Sequence, residues 1–123
     1  EHKAEVVVPY KWFSTNPFRS TYFACLGMAA EMSTGVLAMA HIYRQQPSTS
    51  MLIIKSEALF HKKATGVTKF VCEDGHLIRQ AILETRGSGK AVSIAARSIG
   101  KDEAGNLVAE FIFTWSFKVK TNQ

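Results

Sequence analysis

The chain is predicted to be an α+β domain: an antiparallel sheet curved around one long apolar helix. Three observations carry that prediction. Residues 20–40 read STYFACLGMAAEMSTGVLAMA, with Glu31 as the only formally charged residue and near the middle. Residues 107–119 alternate strictly, with Leu107, Ala109, Phe111, Phe113, Trp115, Phe117 and Val119 on one face. Such alternation is a strand that needs an apolar partner for that face. The third is the order of elements: a strand, the long helix, then about four strands. A helix apolar nearly all round has to be covered on most sides, and a curved sheet can do so.

Taken in order, Ala4 to Phe13 reads as a strand, with Pro9 marking an edge or bulge. Asn16-Pro17 marks a helix start, because Asn caps well and Pro suits the first helical position. The helix is expected from about Phe18 to Tyr43, followed by a loop from Gln45 to Ser50. Met51 to His61 is the next strand, with Leu52, Ile54, Ser56, Ala58 and Phe60 on its apolar face. Gly66 to Glu73 is a further strand, closed by the turn signal Asp74-Gly75. In His76 to Arg86, Leu77, Ile78, Ala81 and Ile82 have helical spacing, so a short helix is favoured over a strand. Gly87-Ser88-Gly89 breaks it, Ala91 to Ile99 returns as a strand, and Lys101 to Asn106 turns into the last strand. No repeat or linker divides the chain, so residues 1–123 read as one domain.

Composition narrows the function. The chain has 123 residues, 46% of them hydrophobic and 20% charged, which fits a globular protein with a real core. The net charge of +5 comes from scattered Lys and Arg without a basic run, which disfavours nucleic acid and reads first as a solvated basic surface, with preference for a phosphorylated ligand as the functional alternative. Cys25 and Cys72 have no metal-ligand spacing and read as reduced thiols of a cytoplasmic protein. The first residues, EHKAEVVVPYKW, do not resemble a signal peptide, and the start without Met suggests a trimmed chain. Residues 20–40 are long enough to raise the question of a membrane span. Their small and hydroxyl residues, the central Glu and the amphipathic strands that follow argue for a core helix instead, with no membrane partner.

The chemistry centres on Glu31. An unpartnered carboxylate is costly to bury, so a lone one in an apolar helix is neutralised, paired or used. Ala24, Gly27, Met28, Glu31, Gly35 and Ala38 share one stripe at helical spacing. Gly27 and Gly35 flank the carboxylate by one turn each way, at a cost of roughly 1 kcal/mol apiece relative to Ala. That space suits a general base with a tuned pKa; the competing reading is close helix–strand packing with Glu31 held by a buried partner. Asn16 is either a cap or a catalytic residue. Other nucleophiles fit poorly. Cys25 lies on another helix face and lacks a nearby His. Ser20, Thr21, Ser33 and Thr34 make no nucleophile elbow. His41, His61 and His76 have no ligand spacing, and no metal site is expected.

The segment Tyr22-Phe23-Ala24-Cys25-Leu26-Gly27-Met28-Ala29-Ala30-Glu31 resembles the start of the central helix in hotdog-fold acyl-CoA thioesterases of the phenylacetate-pathway type. There a His-Gly-Gly and a short apolar run precede the catalytic Asp or Glu. Phe60, Lys63, Ala64 and Gly66 resemble that family's aromatic-x-x-(Pro)-Ala-x-Gly segment, and Trp115-Ser116-Phe117-Lys118 looks most like an uncharacterised branch of the superfamily. The resemblance implies the hotdog fold and hydrolysis of a coenzyme A thioester, the thioester being substrate and no other cofactor being needed. It implies Glu31 as base or nucleophile, Ala24 N–H as the donor to the thioester carbonyl, and Asn16 near the reacting group. It places Tyr22, Phe23 and Gly27 beside the substrate, Thr49 or Ser50 as the strand hydroxyl, and Lys62 and Lys63, with Arg97, near the coenzyme's phosphates. It also implies a homodimer or a dimer of dimers, with residues 49–55 of a second subunit completing the site. One departure stands out: Tyr22-Phe23-Ala24 replaces His-Gly-Gly, and side chains hinder the close approach that Gly permits. A non-catalytic acyl-binding or dimerisation module of the same fold is therefore the alternative. A hydratase or dehydratase ranks last, because no His precedes His41 in the helix.

Overall fold

The computed structural model describes residues 2–8 and 23–120. Within them the elements are β1 (Ala4–Val8), α1 (Phe23–Ile42), β2 (Thr49–Phe60), β3 (Thr68–Cys72), α2 (Gly75–Ser88), β4 (Val92–Asp102) and β5 (Leu107–Val119). The expected extension of the first strand to Phe13, the Asn16-Pro17 helix start and Tyr22 lie outside the described residues. The strands form one curved antiparallel sheet in the order β1-β3-β4-β5-β2. Strand β5 sits between β4 and β2, and both helices pack on its face.

From Ala109 to Val119 the alternation in β5 places its residues as expected; before it a register shift against β4 leaves Val108 fully buried and Leu107 only half-buried. Phe111, Phe113, Trp115, Phe117 and Val119 are buried toward the helices, and Glu110, Ile112, Thr114 and Ser116 are less so. Across from them β4 presents Ala96, Ser98 and Gly100, all buried. Small residues there leave room for the aromatic row. Gly100 is the tightest case, since a Cβ on it would lie 2.5 Å from a ring carbon of Phe70.

Strand β2 departs from the simple alternation. Its pairing with β5 shifts between Ile53 and Lys55, a bulge at Ile54. Met51 and Ile53 face inward before the bulge, and Ser56, Ala58 and Phe60 share the face of Phe113, Phe111 and Ala109 after it. Leu52 and Ile54, expected on the apolar inner face, are instead exposed.

Helix α1 also differs from expectation. Leu26, Ala29, Ala30, Ser33, Thr34, Leu37 and Ala38 are buried, one face at helical spacing. Met28, Met32, Val36 and Met39 are exposed along another face. The sheet therefore covers one side of the helix rather than most of it. Helix α2 forms as expected and buries Ile78, Ala81, Ile82 and Thr85, while Leu77, expected on that apolar face, is exposed. It ends at Gly89 in the left-handed conformation (φ 75°), whose N–H donates to Thr85 O at 2.8 Å. Arg86 of α2 donates to Pro47 O at 2.7 Å and Gln46 O at 3.0 Å, holding the loop between α1 and β2.

The β4–β5 turn is closed by Asp102. Lys62 Nζ donates to Asp102 Oδ2 at 2.7 Å, and the Asn106 N–H donates to Oδ1 at 2.8 Å. The lysine first, and then the turn N–H, hold this carboxyl down at about 2, below its ordinary 3.8. A depressed folded value stabilises above the unfolded value and loses that contribution as pH falls through the folded one. Asp102→Asn is thus expected to flatten the fall of the melting temperature between about pH 4 and pH 2, followed by circular dichroism. An acid limb as steep as the wild type's would count against this role for the turn.

Candidate active site

Glu31 lies midway along α1, at the rim between α1 and β2. It opens into a cleft of about 410 Å³. Gly27, Met28 and Glu31 supply the helix side, Ile53, Ser56, Glu57 and Ala58 the strand side, and Phe111 and Phe113 the floor. The two floor rings are stacked, with centroids 5.8 Å apart and planes 11° from parallel. Phe60 meets Phe111 edge-on at 5.7 Å. A Cβ on Gly27 would lie 3.7 Å from Phe111, in ordinary contact, so the glycine leaves the floor open at that point.

The carboxylate is exposed, not buried as the apolar helix suggested. That exposure does not fit the competing reading of a buried Glu31, and among the described residues the carboxylate makes no ion pair. The turn that carries it is nonetheless fixed. Thr34 Oγ1 donates to the Glu31 carbonyl at 2.8 Å and accepts from Trp115 Nε1 at 2.9 Å. Ser33 Oγ donates to Ala30 O at 2.7 Å and lies 2.7 Å from Ser98 Oγ. These buried hydroxyls tie the helix to β5 and β4.

The expected site residues divide into three groups. Glu31 and Gly27 come together in the cleft. Ala24 lies about two turns before Glu31, exposed in the first turn of α1 as described. Phe23 begins that helix, and Asn16 and Tyr22 lie outside the described residues.

The strand hydroxyls named from the sequence are elsewhere. Thr49 is buried at the start of β2, opposite Val119, and accepts from Arg86 at 3.4 Å. Ser50 donates to Lys118 O at 3.1 Å. Neither lines the cleft. The hydroxyl that does is Ser56, which the sequence reading placed on the strand's inner face without weighing it as a site residue. Its signal was a polar residue between apolar Ile54, Ala58 and Phe60.

Lys62 and Lys63 follow β2 just past the Ala58–Phe60 end of the cleft, Lys62 paired with Asp102. Arg97 and His61 both bind Glu110 on the outer face of the sheet, His61 Nε2 at 2.9 Å. His61 first, then Arg97, lower the Glu110 carboxyl below its ordinary value. A second hollow of about 590 Å³ lies on that outer face, floored by Val67, Val71 and Ile99. Lys3, Lys69 and Lys101 ring it together with Glu73, Asp102 and Glu103, three cations against three carboxylates. It joins no hydroxyl or nucleophile to its charges. The smaller cleft does, and is the better candidate.

No protein-family model matches the sequence, and no curated protein matches it. Solved structures do. A Pseudomonas aeruginosa protein of unknown function, described as a "Probable Thioesterase", superposes with a TM-score of 0.83 at 20% identity, over 97% of this chain and 78% of its own. A Chlorobaculum tepidum protein of unknown function superposes at 0.79 with 9% identity, over 97% and 78%. A variant of a "Hypothetical Thioesterase Protein" from Streptococcus pneumoniae superposes at 0.69 with 12% identity, over 98% and 86%. The chain has the hotdog fold, which it shares with these neighbours.

Proposed function

We propose that the chain is an acyl-CoA thioesterase acting through Glu31. The observation that carries this reading is the placement of that carboxylate: it is unpaired among the described residues and opens on a cleft with an apolar aromatic floor and one strand hydroxyl, Ser56. The acyl chain lies on Phe111 and Phe113. Glu31 takes a proton from water as the water oxygen adds to the thioester carbonyl carbon. N–H groups near Ala24 hold the oxyanion. Collapse breaks the C–S bond, and the departing thiolate takes the proton from Glu31. Alternatively the carboxylate attacks the carbonyl carbon and breaks the C–S bond, water opens the resulting anhydride, and the expelled thiolate takes the proton that this hydrolysis releases. Ser56 or Asn16 orients the water or the acyl oxygen, and Lys62 and Lys63 meet the phosphates of coenzyme A.

A second copy of the chain completes the site. β2 is an edge strand, and beside it run the exposed Met28, Met32, Val36 and Met39 of α1. Met28 and Leu52 are each 65% exposed and Ile54 is 56% exposed, too much apolar surface on one side for a lone chain. Antiparallel pairing of two β2 edges lays residues 49–55 of one copy along the cleft half of the other, which would bring the exposed Ser50 to this site, while Thr49 stays buried in its own chain. Two dimers can pair further. Met32→Lys is expected to weaken the dimer about 100-fold or more, because the symmetric interface buries each unpaired charge. Analytical ultracentrifugation reads this directly, and an unchanged dimer would remove this interface from the proposal. Cys25 and Cys72 are free thiols, Cys72 pushed up to about 11 by burial, and we place the protein in the cytoplasm.

The test is thiol release from a panel of short, long and aromatic acyl-CoA thioesters by wild type and Glu31→Gln. Turnover lost in the variant while binding survives supports the enzyme. Tight acyl-CoA binding with no turnover by wild type supports the non-catalytic module, the reading favoured by Ala24 standing where the family has Gly.

A further inference from the structure

We propose that Thr34 and Trp115 are positioning residues for Glu31, with Ser33 and Ser98 as a second tie. The inference rests on the reading of Glu31 as base or nucleophile. A helix carbonyl ordinarily accepts one bond, from the N–H four residues on. The carbonyls of Ala30 and Glu31, the turn that carries the carboxylate, each accept a side-chain hydroxyl as well. Thr34 has one hydroxyl proton, and it goes to Glu31 O; its lone pair takes the Trp115 indole N–H, which can only donate. Ser33 likewise gives its proton to Ala30 O, so Ser98 is the donor in the Ser33–Ser98 bond.

All four side chains are buried in a core that is otherwise aromatic and aliphatic. Burial of hydroxyls adds little net stability but fixes one arrangement, because any other leaves a donor unmade. Gly35 sharpens the contact. A Cβ there would sit 3.6 Å from the indole of Trp115, so the ring lies directly against the helix backbone one turn beyond Glu31.

The strands that hold this turn also form the cleft. Trp115 lies two and four residues from Phe113 and Phe111, whose rings make the cleft floor, and Ser98 pairs in register with Phe111. Helix slippage that would move Glu31 relative to the acyl group is thereby resisted from two strands. A displacement of about 1 Å at a reacting group can lower a rate by roughly 10²-fold, so tenths of an ångström matter.

The test compares Thr34→Val, Trp115→Phe and the conservative Thr34→Ser. The first two are expected to lower kcat about 10- to 100-fold with KM within about twofold of wild type, and Thr34→Ser to restore kcat to within about threefold. Thr85→Val is the matched control. Thr85 is an equally buried hydroxyl that bonds Lys90 O and Val119 N away from the cleft. It should lower the melting temperature comparably and leave kcat unchanged.

A second readout does not depend on turnover: the side-chain carboxyl resonance of Glu31 in carbon-13-labelled protein, assigned by its loss in Glu31→Gln. Thr34→Val and Trp115→Phe should broaden or displace it, and Thr85→Val should not. If the wild type hydrolyses no thioester, the proposed function fails and this resonance alone decides the positioning. An unmoved resonance, or kcat changes matched by Thr85→Val, would overturn the inference.

Discussion

Glu31→Gln is expected to lower kcat for a thioester substrate by about 10³-fold, with melting temperature and acyl-CoA binding nearly unchanged. The substitution keeps the size of the side chain and removes only its basicity. Because Glu31 is exposed and unpaired among the described residues, no buried charge is orphaned by the change. Surface substitutions of that kind usually stay within about 0.5 kcal/mol. Glu31→Asp separates position from basicity. It keeps the carboxylate but draws it back by one methylene, roughly 1 Å, and should cost about 10²-fold in kcat. Continuous thiol-release kinetics, with isothermal titration of a non-hydrolysable acyl-CoA analogue, measure both arms. A Glu31→Gln enzyme of wild-type activity would remove Glu31 from the chemistry altogether.

Gly100→Ala is the substitution expected to cost most in stability, about 1–3 kcal/mol or somewhat more. The added methyl would lie 2.5, 2.6 and 2.9 Å from three ring carbons of Phe70, closer than atoms can stand. A flexible surface side chain could swing aside. Phe70 cannot easily do so, because it is fully buried and packs edge-on against Phe111 at 5.8 Å. Gly100 is also paired with Phe70 in the β3–β4 register, so relief would have to come from the backbone of the sheet. A drop of the melting temperature by roughly 5–15 °C follows for a chain of this size. Since Phe111 floors the cleft, KM should rise in the same variant. Thermal unfolding at unchanged temperature would show that the β3–β4 pair yields more readily than its packing implies.

The parts of this fold that could be read from the sequence are those that obey one period over most of their length. β5 alternates without interruption from Ala109 to Val119, and its span and its inward aromatic row match the structure, while Leu107 falls out of phase beyond the irregularity at Val108. Helix α2 likewise follows its apolar spacing, apart from the exposed Leu77. β2 was only half readable, because alternation carries no mark of an extra residue: with a bulge at Ile54, Leu52 changes face while Ser56, Ala58 and Phe60 keep theirs. The strand hydroxyl is hard to place for the same reason: the sequence points to the start of the strand, where Thr49 is held by Arg86, while within one chain the hydroxyl that lines the cleft is Ser56, after the bulge.

The long helix was recognised by its apolar run, but apolar content does not say what covers it. The sheet buries the Leu26–Leu37 side and leaves the methionine side open. Glu31 was found because a single charge stands out in such a run. Thr34 and Ser33 were visible as hydroxyls in the same helix, yet their partners Trp115 and Ser98 are 81 and 65 residues away, and nothing in local sequence joins them.

The bulge in β2 makes the length of that strand as informative as its composition. Ile54 acts as a spacer between two half-strands whose inward positions are out of phase. Losing that one residue would close the bulge and leave Met51, Ile53, Ser56, Ala58 and Phe60 on one face in unbroken alternation. Losing Ser56 instead, with the bulge kept, would turn the rest of the strand inside out and set Glu57 and Leu59 toward the aromatic floor. Single-residue deletions past the bulge are therefore poorly tolerated along this edge, even where substitutions are accepted, and protein engineering of the cleft from this side has to conserve the residue count there before it alters the residues.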